Sequence, residues 1–339
     1  MNINDIARIA GVGVGTVSRV INNHPDVKDE TRKRIQKIIE ESNYIPNSSA
    51  RNLKKTNSNT IGVLVRGVFN PFFSEMIDVI GKLIAKNGYT MVLRHTDFSS
   101  NGDEELRDLI SFEKARKLQG IIYLGCDIRE VTEDTFSAIN VPLVLSSVNI
   151  NYNIEAKNFS SIGIKQREAA YKATKYLIDN NNKKIAIMIG IKNDAGLAHE
   201  RLLGYIEALA ENNITLNKDY ILYGEYSAEG AYKATTDLIN KGLRVDGVFC
   251  ISDIMATGCA KAFVDNNFEV GKDVSVIGFD GMEVAEFYNP AITTIEQPRK
   301  EMAEKTVDLL LDLIKHNSEN KHIILDTKLI ERDSCKKNS

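Results

Sequence analysis

The sequence has few cysteines and no long apolar segment, and each absence excludes a class of protein. The four cysteines are scattered, without the paired spacing typical of a metal site or a disulfide framework, so we expect reduced thiols and no metal or other cofactor. No apolar run approaches the length of a membrane span. The N-terminus lacks the charged and then apolar pattern of an export signal, so we expect a cytoplasmic protein. The cysteines are Cys126, Cys250, Cys259 and Cys335.

Motifs typical of catalysis are also missing from the sequence. The five histidines are dispersed, and we find neither a Ser-His-Asp pattern nor a His-Glu metal motif. The segment Gly11–Gly15 superficially resembles a nucleotide-binding loop, but no predicted strand precedes it and its glycine spacing is wrong. An enzyme is therefore the weaker interpretation, and we assign no catalytic residue.

Charge is distributed unevenly along the chain. Residues 1–59, the head, contain ten Lys or Arg and six Asp or Glu, which gives a net charge of +4. Because the whole chain carries −3, the remaining residues, the body, carry −7. A basic head on an acidic body indicates a polyanionic partner for the head alone, and an ordinary solvated surface is the alternative.

The head has the pattern of two short helices joined by a turn. Apolar residues recur at helical spacing in two stripes: Ile6, Ile9 and Ala10, then Val17, Val20 and Ile21. The Gly-containing break between the stripes has about the length of the turn in a helix-turn-helix, which places the start of its second helix in a DNA major groove. A third helix is predicted from Asp29 to Ile39, with acidic residues at its start, where the helix dipole favours them.

The head ends in a short hinge. Proline is tolerated at the start of a helix but not inside one, so one or two helical turns can follow Pro46. The polar segment Lys54–Asn59 predicts a linker. We therefore expect a DNA-binding domain over residues 1–46, a hinge helix and linker over 47–59, and the body over 60–339.

In the body, short apolar runs alternate with amphipathic segments. The runs predict strands at Ile61–Val65, Thr90–Leu93, Ile121–Leu124, Leu143–Leu145, Ile185–Ile189, Val248–Ile251 and Val274–Phe279. The amphipathic segments predict helices at Phe73–Asn87, Gln166–Asp179, Arg201–Asn212, Ala228–Lys241 and Ile254–Asn266. This alternation predicts an α/β fold with parallel sheets covered on both faces.

Two similar segments, 119–124 and 246–251, indicate two lobes, each a doubly wound sheet, with a ligand cleft between them. We expect lobe 1 to comprise about 60–160 and 292–320, and lobe 2 about 161–291 and 321–339. A last strand is predicted over 323–329. No leucine heptad follows it, so we expect no tetramer built by the tail.

Several motifs occur in an order that matches one family. They are Thr16–Asn22, Asn43–Asn47, Asn70–Phe73, His199–Arg201 with Gly204 and Tyr205, Ile277–Asp280, and Thr293–Pro298. Together they closely resemble the LacI family of bacterial transcription regulators across essentially the whole chain. The resemblance implies a helix-turn-helix head, a hinge helix and a two-lobed body like that of periplasmic binding proteins. It also implies a sequence-specific DNA-binding repressor controlled by a small molecule, a sugar or a related metabolite.

The resemblance assigns DNA contacts to the second helix and its neighbours. The hydroxyls of Thr16 and Ser18 suit phosphate contacts, and Asn22 resembles another backbone contact. Arg19 is our choice for reading a base edge, since a guanidinium binds guanine O6 and N7 together; neutralising phosphate is the alternative. The expected DNA-binding set is Ile3, Val14, Gly15, Thr16, Ser18, Arg19, Asn22, Tyr44, Asn47, Ala50, Arg51 and Leu53.

Two of these positions depart from the family pattern, which has polar or bulky residues there. Val14 offers only apolar contact, for instance to a thymine methyl, and Gly15 offers almost nothing. Direct readout should therefore be weak and should depend on Arg19 and on DNA shape.

By resemblance, residues 47–53 fold into a helix only on the operator. Leu53 from each of two subunits would then enter the minor groove between base steps and kink the duplex. A plain core leucine is the alternative, although the neighbouring Arg51, Asn52, Lys54 and Lys55 argue against burial.

In the body, Arg201, Asp280 and Gln297 resemble the polar set that binds ligand hydroxyls in this family. A structural ion pair between Arg201 and Asp280 is the alternative, and packing at the helix start is the alternative for Phe72 and Phe73. The expected effector set is Asn70, Phe72, Phe73, Ser147, Arg201, Tyr226, Ser252, Asp280 and Gln297.

Two members of the effector set differ from the sugar pattern. Ser252 replaces a frequent Asn, and Ser147 replaces a frequent Asp, so the ligand need not be a common hexose. We expect a homodimer on a pseudo-palindromic operator, because two-fold protein symmetry matches two-fold half-sites. Relief of repression by an inducer is favoured over corepression, but the sequence leaves both open.

Two other binding functions compete with this interpretation. A sugar-binding receptor fits the body but not the head. A catabolite-control regulator with a phosphoprotein corepressor is disfavoured by Asn289, because such regulators tend to carry a basic residue before the equivalent of Pro290.

Overall fold

A computed structural model of the chain describes residues 2–21, 24–42, 59–67, 71–96, 102–126, 136–148, 158–192 and 196–336. The chain divides into two compact units, Met1–Ser58 and Asn59–Ser339, which correspond to the head and the body. Of the helices in these described ranges, none combines the length and the apolar character that crossing a bilayer requires.

The described part of the head contains three helices: α1 (Ile3–Ala10), α2 (Val14–Ile21) and α3 (Asp29–Glu41). One side chain from each, Ile6, Val17 and Ile35, is fully buried in a common apolar cluster. Since Gly11–Gly13 joins two helices and follows no strand, a nucleotide-binding loop is excluded there. The structure confirms the predicted helix-turn-helix.

Local hydrogen bonds fix where α1 begins and ends. The Asn2 side chain accepts the backbone N–H groups of Asn4 and Asp5, and the Asp5 carboxylate accepts the N–H of Asn2 at 3.0 Å, which completes a capping box. Gly11, at φ 61°, takes the left-handed conformation that terminates the helix.

The body consists of twelve described strands and eight described helices. The strands are β1 (Thr60–Arg66), β2 (Thr90–Thr96), β3 (Gly120–Leu124), β4 (Leu143–Val148), β5 (Ser160–Ile164), β6 (Ile185–Ile189), β7 (Ile221–Tyr223), β8 (Gly247–Cys250), β9 (Ser275–Asp280), β10 (Thr293–Glu296), β11 (His322–Leu325) and β12 (Lys328–Ile330). The helices are α4 (Pro71–Lys86), α5 (Gly102–Arg116), α6 (Gln166–Asp179), α7 (Leu197–Glu211), α8 (Ala228–Asn240), α9 (Asp253–Asp265), α10 (Glu283–Phe287) and α11 (Arg299–His316).

Two six-stranded sheets define the two lobes. The lobe 1 sheet has the order β11-β5-β4-β3-β1-β2 and is parallel throughout. The lobe 2 sheet has the order β12-β10-β9-β8-β6-β7, in which only β12 runs antiparallel. Every residue of β3, β6 and β8 is buried, as expected where helices cover both faces of a sheet. The predicted α/β class is confirmed.

The sheets correct the expected lobe limits. Strand β5, expected in lobe 2, pairs with β4 in lobe 1, whereas β10, expected in lobe 1, pairs with β9 in lobe 2. The single strand predicted over 323–329 is wrong, because the chain forms β11 in lobe 1 and then β12 in lobe 2. The chain therefore passes between lobes three times: after β5, after β10 and after β11.

The strands that the sequence pattern missed are short or polar. Strand β5 has the sequence SSIGI, β10 has TTIE, and β7 has three residues, so none contains a long apolar run. Helices α5, α10 and α11 were also missed. The five predicted helices of the body lie within two residues of their expected limits, except that α7 begins four residues earlier.

Helices α6 and α7 approach closely at Gly204. A Cβ atom at this position would lie 2.1 Å from the carbonyl oxygen of Arg167 and 2.9 Å from the backbone nitrogen of Tyr171. Both obstacles are backbone atoms, so relief would require the two helices to separate. Only glycine permits this packing distance.

We predict that Gly204→Ala destabilises the body by about 1–3 kcal/mol, the usual cost of overpacking. Thermal unfolding should show a Tm several degrees lower. Gly81→Ala is the matched control, since its Cβ would meet only the flexible end of Met91, at 3.3 Å, and alanine favours a helix. Equal Tm values for Gly204→Ala and the unsubstituted protein would contradict the prediction.

Candidate functional site

One face of α2 is available to a partner. Val14, Gly15 and Arg19 are exposed and Ser18 is half-buried. These four positions lie on one side of the helix, because 3.6 residues per turn places them within about 140° of its circumference. On the other side, Val17 is buried in the head core.

The remaining head residues of the expected DNA set differ in their placement. Thr16 is half-buried, and Ile3 is half-buried against the head core, so packing accounts for part of its surface. A Cβ atom at Gly13 or Gly15 would meet no atom within 4 Å, so packing does not require glycine at either position. The other expected contacts, one of them in the body, lie outside the described residues: Asn22, Tyr44, Asn47, Ala50, Arg51, Leu53 and Asn70.

In lobe 2, the expected effector residues gather at the carboxyl edge of the sheet. Asp280 ends β9, Gln297 follows β10, Ser252 comes soon after β8, and Arg201 lies on α7, which follows β6. In doubly wound sheets this edge is where ligands bind, since parallel strands end there together.

Arg201 is buried and held rigidly. Its Nε donates to Oε1 of Gln166 at 2.8 Å, and one of its terminal nitrogens donates to the carbonyl oxygen of Ile251 at 2.6 Å. The guanidinium carbon lies 3.8 Å from the centre of the Phe279 ring, which is a cation–π contact. The guanidinium plane is therefore preorganised before any ligand arrives.

Asp280 and Gln297 form a second polar pair. Nε2 of Gln297 donates to the Asp280 carboxylate at 2.7 Å, and both side chains are buried. Burial raises the pKa of Asp280 to about 6, against the opposing effects of the Arg201 charge and the Gln297 hydrogen bond. The backbone of Asp280, at φ 117°, is strained for a residue other than glycine, a feature found often at functional sites.

Two amide atoms at this edge are buried without partners. Neither Nε2 of Gln166 nor Oε1 of Gln297 makes a hydrogen bond to any described residue. Each amide is fixed through its other atom, to Arg201 and to Asp280 respectively. An unpaired buried polar atom is costly, so a donor and an acceptor remain for a ligand with hydroxyl groups.

Asp253 is a member of this site that the sequence did not reveal. Its carboxylate is fully buried, and it accepts hydrogen bonds from the Met282 N–H and the Thr294 hydroxyl, both at 2.6 Å. Burial, and then the charge of Asp280, raise the pKa of Asp253 to about 8. Burial therefore favours the protonated form of both carboxyl groups, and the charge of Arg201 opposes this at Asp280.

Ser252 and Tyr226 complete the lobe 2 set. Oγ of Ser252 accepts the Met255 N–H at 3.3 Å and so caps α9. Tyr226 is half-buried, and its ring packs over Gly190, where a Cβ atom would lie 2.1 Å from Cε2 of the ring. The ring therefore covers the end of β6.

In lobe 1, Phe72 and Phe73 begin α4, just after β1. Both rings are buried in the core, edge to face with centres 5.2 Å apart, which is the packing arrangement left open as an alternative. Ser147 is buried near the end of β4, where the register with β5 shifts and its φ is 56°.

Comparison with known proteins places the chain among regulators. Residues 2–47 match the family model of bacterial regulatory proteins of the lacI family, and residues 174–335 match a periplasmic binding protein-like domain. The HTH-type transcriptional regulator MalR of Clostridium butyricum is 52% identical over 335 residues, covering 99% of each chain.

Two solved structures share the fold over nearly the whole chain. The lac repressor dimer bound to operator and the anti-inducer ONPF has a TM-score of 0.75 at 25% identity and covers 99% of both chains. The complex of the transcriptional regulator CelR with cellobiose has a TM-score of 0.71 at 26% identity and covers 98% of this chain and 99% of that one.

The raised pKa of Asp253 predicts a pH-dependent stability. A group with a raised pKa binds a proton more tightly in the folded chain, so the stability that it contributes is lost as pH rises from about 4 to about 8. Asp253→Asn, which cannot ionise, should reduce the fall in Tm between pH 5 and pH 9.

Asp265→Asn is the control for this measurement. Asp265 is an exposed carboxylate on the same helix whose pKa is lowered by its hydrogen bonds with Lys261 and Tyr232, so it stays ionised over the whole range. The Tm of Asp265→Asn should therefore change with pH in the same way as the Tm of the unsubstituted protein. Parallel Tm curves for Asp253→Asn and the unsubstituted protein would rule out this assignment.

Proposed function

The chain belongs to the LacI family of bacterial regulatory proteins, and we propose that it is a repressor. A sugar-class effector either releases this repressor from its operator or retains it there. Members of the family are DNA-binding transcriptional regulators and not enzymes. The head binds the operator, and the effector lies between the lobes of the body. The observation that carries the effector class is the buried set of Arg201, Asp280 and two half-satisfied glutamine amides.

On the DNA side, the proposal depends on the exposed face of α2. Arg19 is the described side chain on this face that can bind two acceptors of one guanine. Val14 adds apolar contact, and Gly15 adds little. Phosphate contacts and DNA shape supply the remaining affinity.

On the effector side, the chemistry favours a polyol. A planar cation beside a carboxylate binds neighbouring hydroxyl groups, and the two open amide atoms supply one further donor and one further acceptor. CelR, a structural neighbour over the whole chain, was solved with the sugar cellobiose. We infer that this chain takes a ligand of the same chemical class and needs no other cofactor.

Exposed apolar side chains in both lobes support a homodimer. Leu93 is half exposed on the edge strand β2 of lobe 1. In lobe 2, Val284 and Phe287 lie on the short helix α10, and Phe287 is 76% exposed. A second copy related by two-fold symmetry could cover these side chains in both lobes.

The effector acts by changing the relative population of lobe arrangements. A ligand shifts this equilibrium only if it binds one arrangement more tightly than the other. The lobe arrangement of a dimer would set the spacing of its two hinges, and thereby the folding of residues 47–53 on the operator.

We predict that Arg19→Lys loses sequence discrimination while keeping phosphate attraction. A duplex selected from a random library by the full chain should lose roughly tenfold or more in affinity relative to a random duplex, because the lysine ammonium lacks the planar fork that a guanidinium presents to guanine O6 and N7. The slope of log affinity against log salt should be unchanged, since the charge remains. An undiminished discrimination ratio would assign Arg19 to phosphate alone.

For the effector, we predict that a mono- or disaccharide raises the Tm of the body. A panel of glucose, maltose, cellobiose, adenine and hypoxanthine separates sugars from nucleobases, and a ligand at 100 times its Kd adds about 2.7 kcal/mol. Arg201→Lys should abolish the shift, whereas Arg167→Lys, in an exposed ion pair, should retain it. Stabilisation by a nucleobase alone would refute the sugar class.

A further inference from the structure

Arg299 lies where the chain returns from lobe 2 to lobe 1. It is the first residue of α11, three residues after β10 ends, and Gln297 of the effector set is two residues before it. No sequence motif assigned a role to Arg299.

The Arg299 guanidinium contacts both lobes at once. Its Nε donates to the carboxylate of Glu75, on α4 of lobe 1, at 2.8 Å. Its two terminal nitrogens donate to the carbonyl oxygens of Asp280 at 3.0 Å and Gly281 at 3.2 Å, in lobe 2. Its central carbon lies 5.9 Å from the centre of the Phe72 ring in lobe 1. The Arg299 side chain is 14% exposed, and that of Glu75 is 50% exposed.

The contacts that Arg299 makes with the two lobes differ in strength. A half-exposed ion pair such as Glu75–Arg299 contributes little alone, because solvent screens it. The two carbonyl contacts lie farther from water and involve a charged donor, which makes each stronger than a neutral hydrogen bond. Three nitrogens of one planar group are used in three directions, which a lysine ammonium cannot reproduce.

The lobe 2 contact involves the backbone of the effector site itself. The carbonyl that Arg299 binds belongs to Asp280, whose carboxylate is paired with Gln297 and whose backbone is strained. A change in lobe angle that moves α4 away from β9 must therefore break the contact with Glu75 or the contacts with the two carbonyls.

We propose that Arg299 is a positioning residue that fixes the angle between the lobes and joins it to the backbone of the effector site. The role in fixing the angle stands without any ligand. The link to ligand control rests on the function proposed above.

Distances between spin labels in the full-length chain test the proposal. Exposed Lys82 on α4 and exposed Lys272 of lobe 2 can be replaced as Lys82→Cys and Lys272→Cys and labelled. The native thiols should not compete, because all four are buried. Double electron–electron resonance then measures the distance between the two labels, one on each lobe, in the absence of DNA and effector.

In this background, Arg299→Gln should broaden or shift the distance distribution, and Arg299→Lys should show a smaller change of the same kind. Glu75→Gln should have less effect than Arg299→Gln, and the double variant should add little to Arg299→Gln alone, because both remove one shared contact. Lys305→Gln, which removes an exposed ion pair on the same helix, should match the parent.

An unchanged distribution in Arg299→Gln would overturn the proposal, whatever happens to the Tm. If Arg299→Gln does not fold, Arg299→Lys and Glu75→Gln decide the question by the same readout, and unchanged distributions in both would overturn it. Failure of every sugar in the panel to raise the Tm would refute the effector class while leaving the label distances as a valid test of Arg299.

Discussion

The carboxyl edge of the lobe 2 sheet, where the expected effector residues lie, depends on keeping ionisable side chains out of water beside two permanent cations, Arg201 and Arg299. Arg201, Asp253 and Asp280 are each less than a tenth exposed, and the guanidinium of Arg201 cannot lose its charge. Burial raises the pKa of both carboxyl groups, whereas the charges of Arg201 and Arg299 and the Gln297 hydrogen bond oppose this rise at Asp280. The Phe279 ring and the Ile251 carbonyl also stabilise the positive charge of Arg201.

The residues that hydrogen-bond to Arg201 and Asp280 belong to the segments that join the two lobes. Gln166, which holds Arg201, begins α6 two residues after β5 ends, at the first passage between lobes. Gln297, which holds Asp280, begins the second passage, and Arg299 follows it. Two of the three passages therefore carry side chains bonded to the polar groups that we assign to the ligand. The residues that orient Arg201 and Asp280 therefore lie in the segments that would bend if the lobes moved. In this arrangement a ligand bound to Arg201 and Asp280 would act directly on those segments.

The sequence predicted the parts of the structure that depend on local pattern. The apolar stripes of the head and the buried runs of the body placed three helices and most strands, since burial on one or two faces leaves a period in the sequence. Strands β5 and β10 carry serine and threonine at buried positions, so their period is hidden. The division of 323–329 between two sheets depends on where neighbouring strands end, which no local pattern records.

For the candidate site, the family motifs predicted Arg201, Asp280 and Gln297 but not Gln166 and Ile251, which accept hydrogen bonds from Arg201. Gln166 and Arg201 are separated by 35 residues, and Glu75 and Arg299 by 224, so only the folded chain brings either pair together. Asp253 was passed over because its neighbour Ser252 occupied the motif position. Its importance comes from burial beside Asp280, which a sequence does not display.

The two glycines at the start of α2, Gly13 just before the helix and Gly15 within it, have a consequence for how this protein can diverge. Since the side chain at residue 13 or residue 15 would extend into open space, almost any replacement there leaves the three-helix core intact. Duplicated copies of the gene could therefore acquire separate target sites by one codon change each, with the ligand-responsive part inherited unaltered. A bacterium can in this way assign an existing chemical sensor to new promoters faster than it can evolve a new sensor.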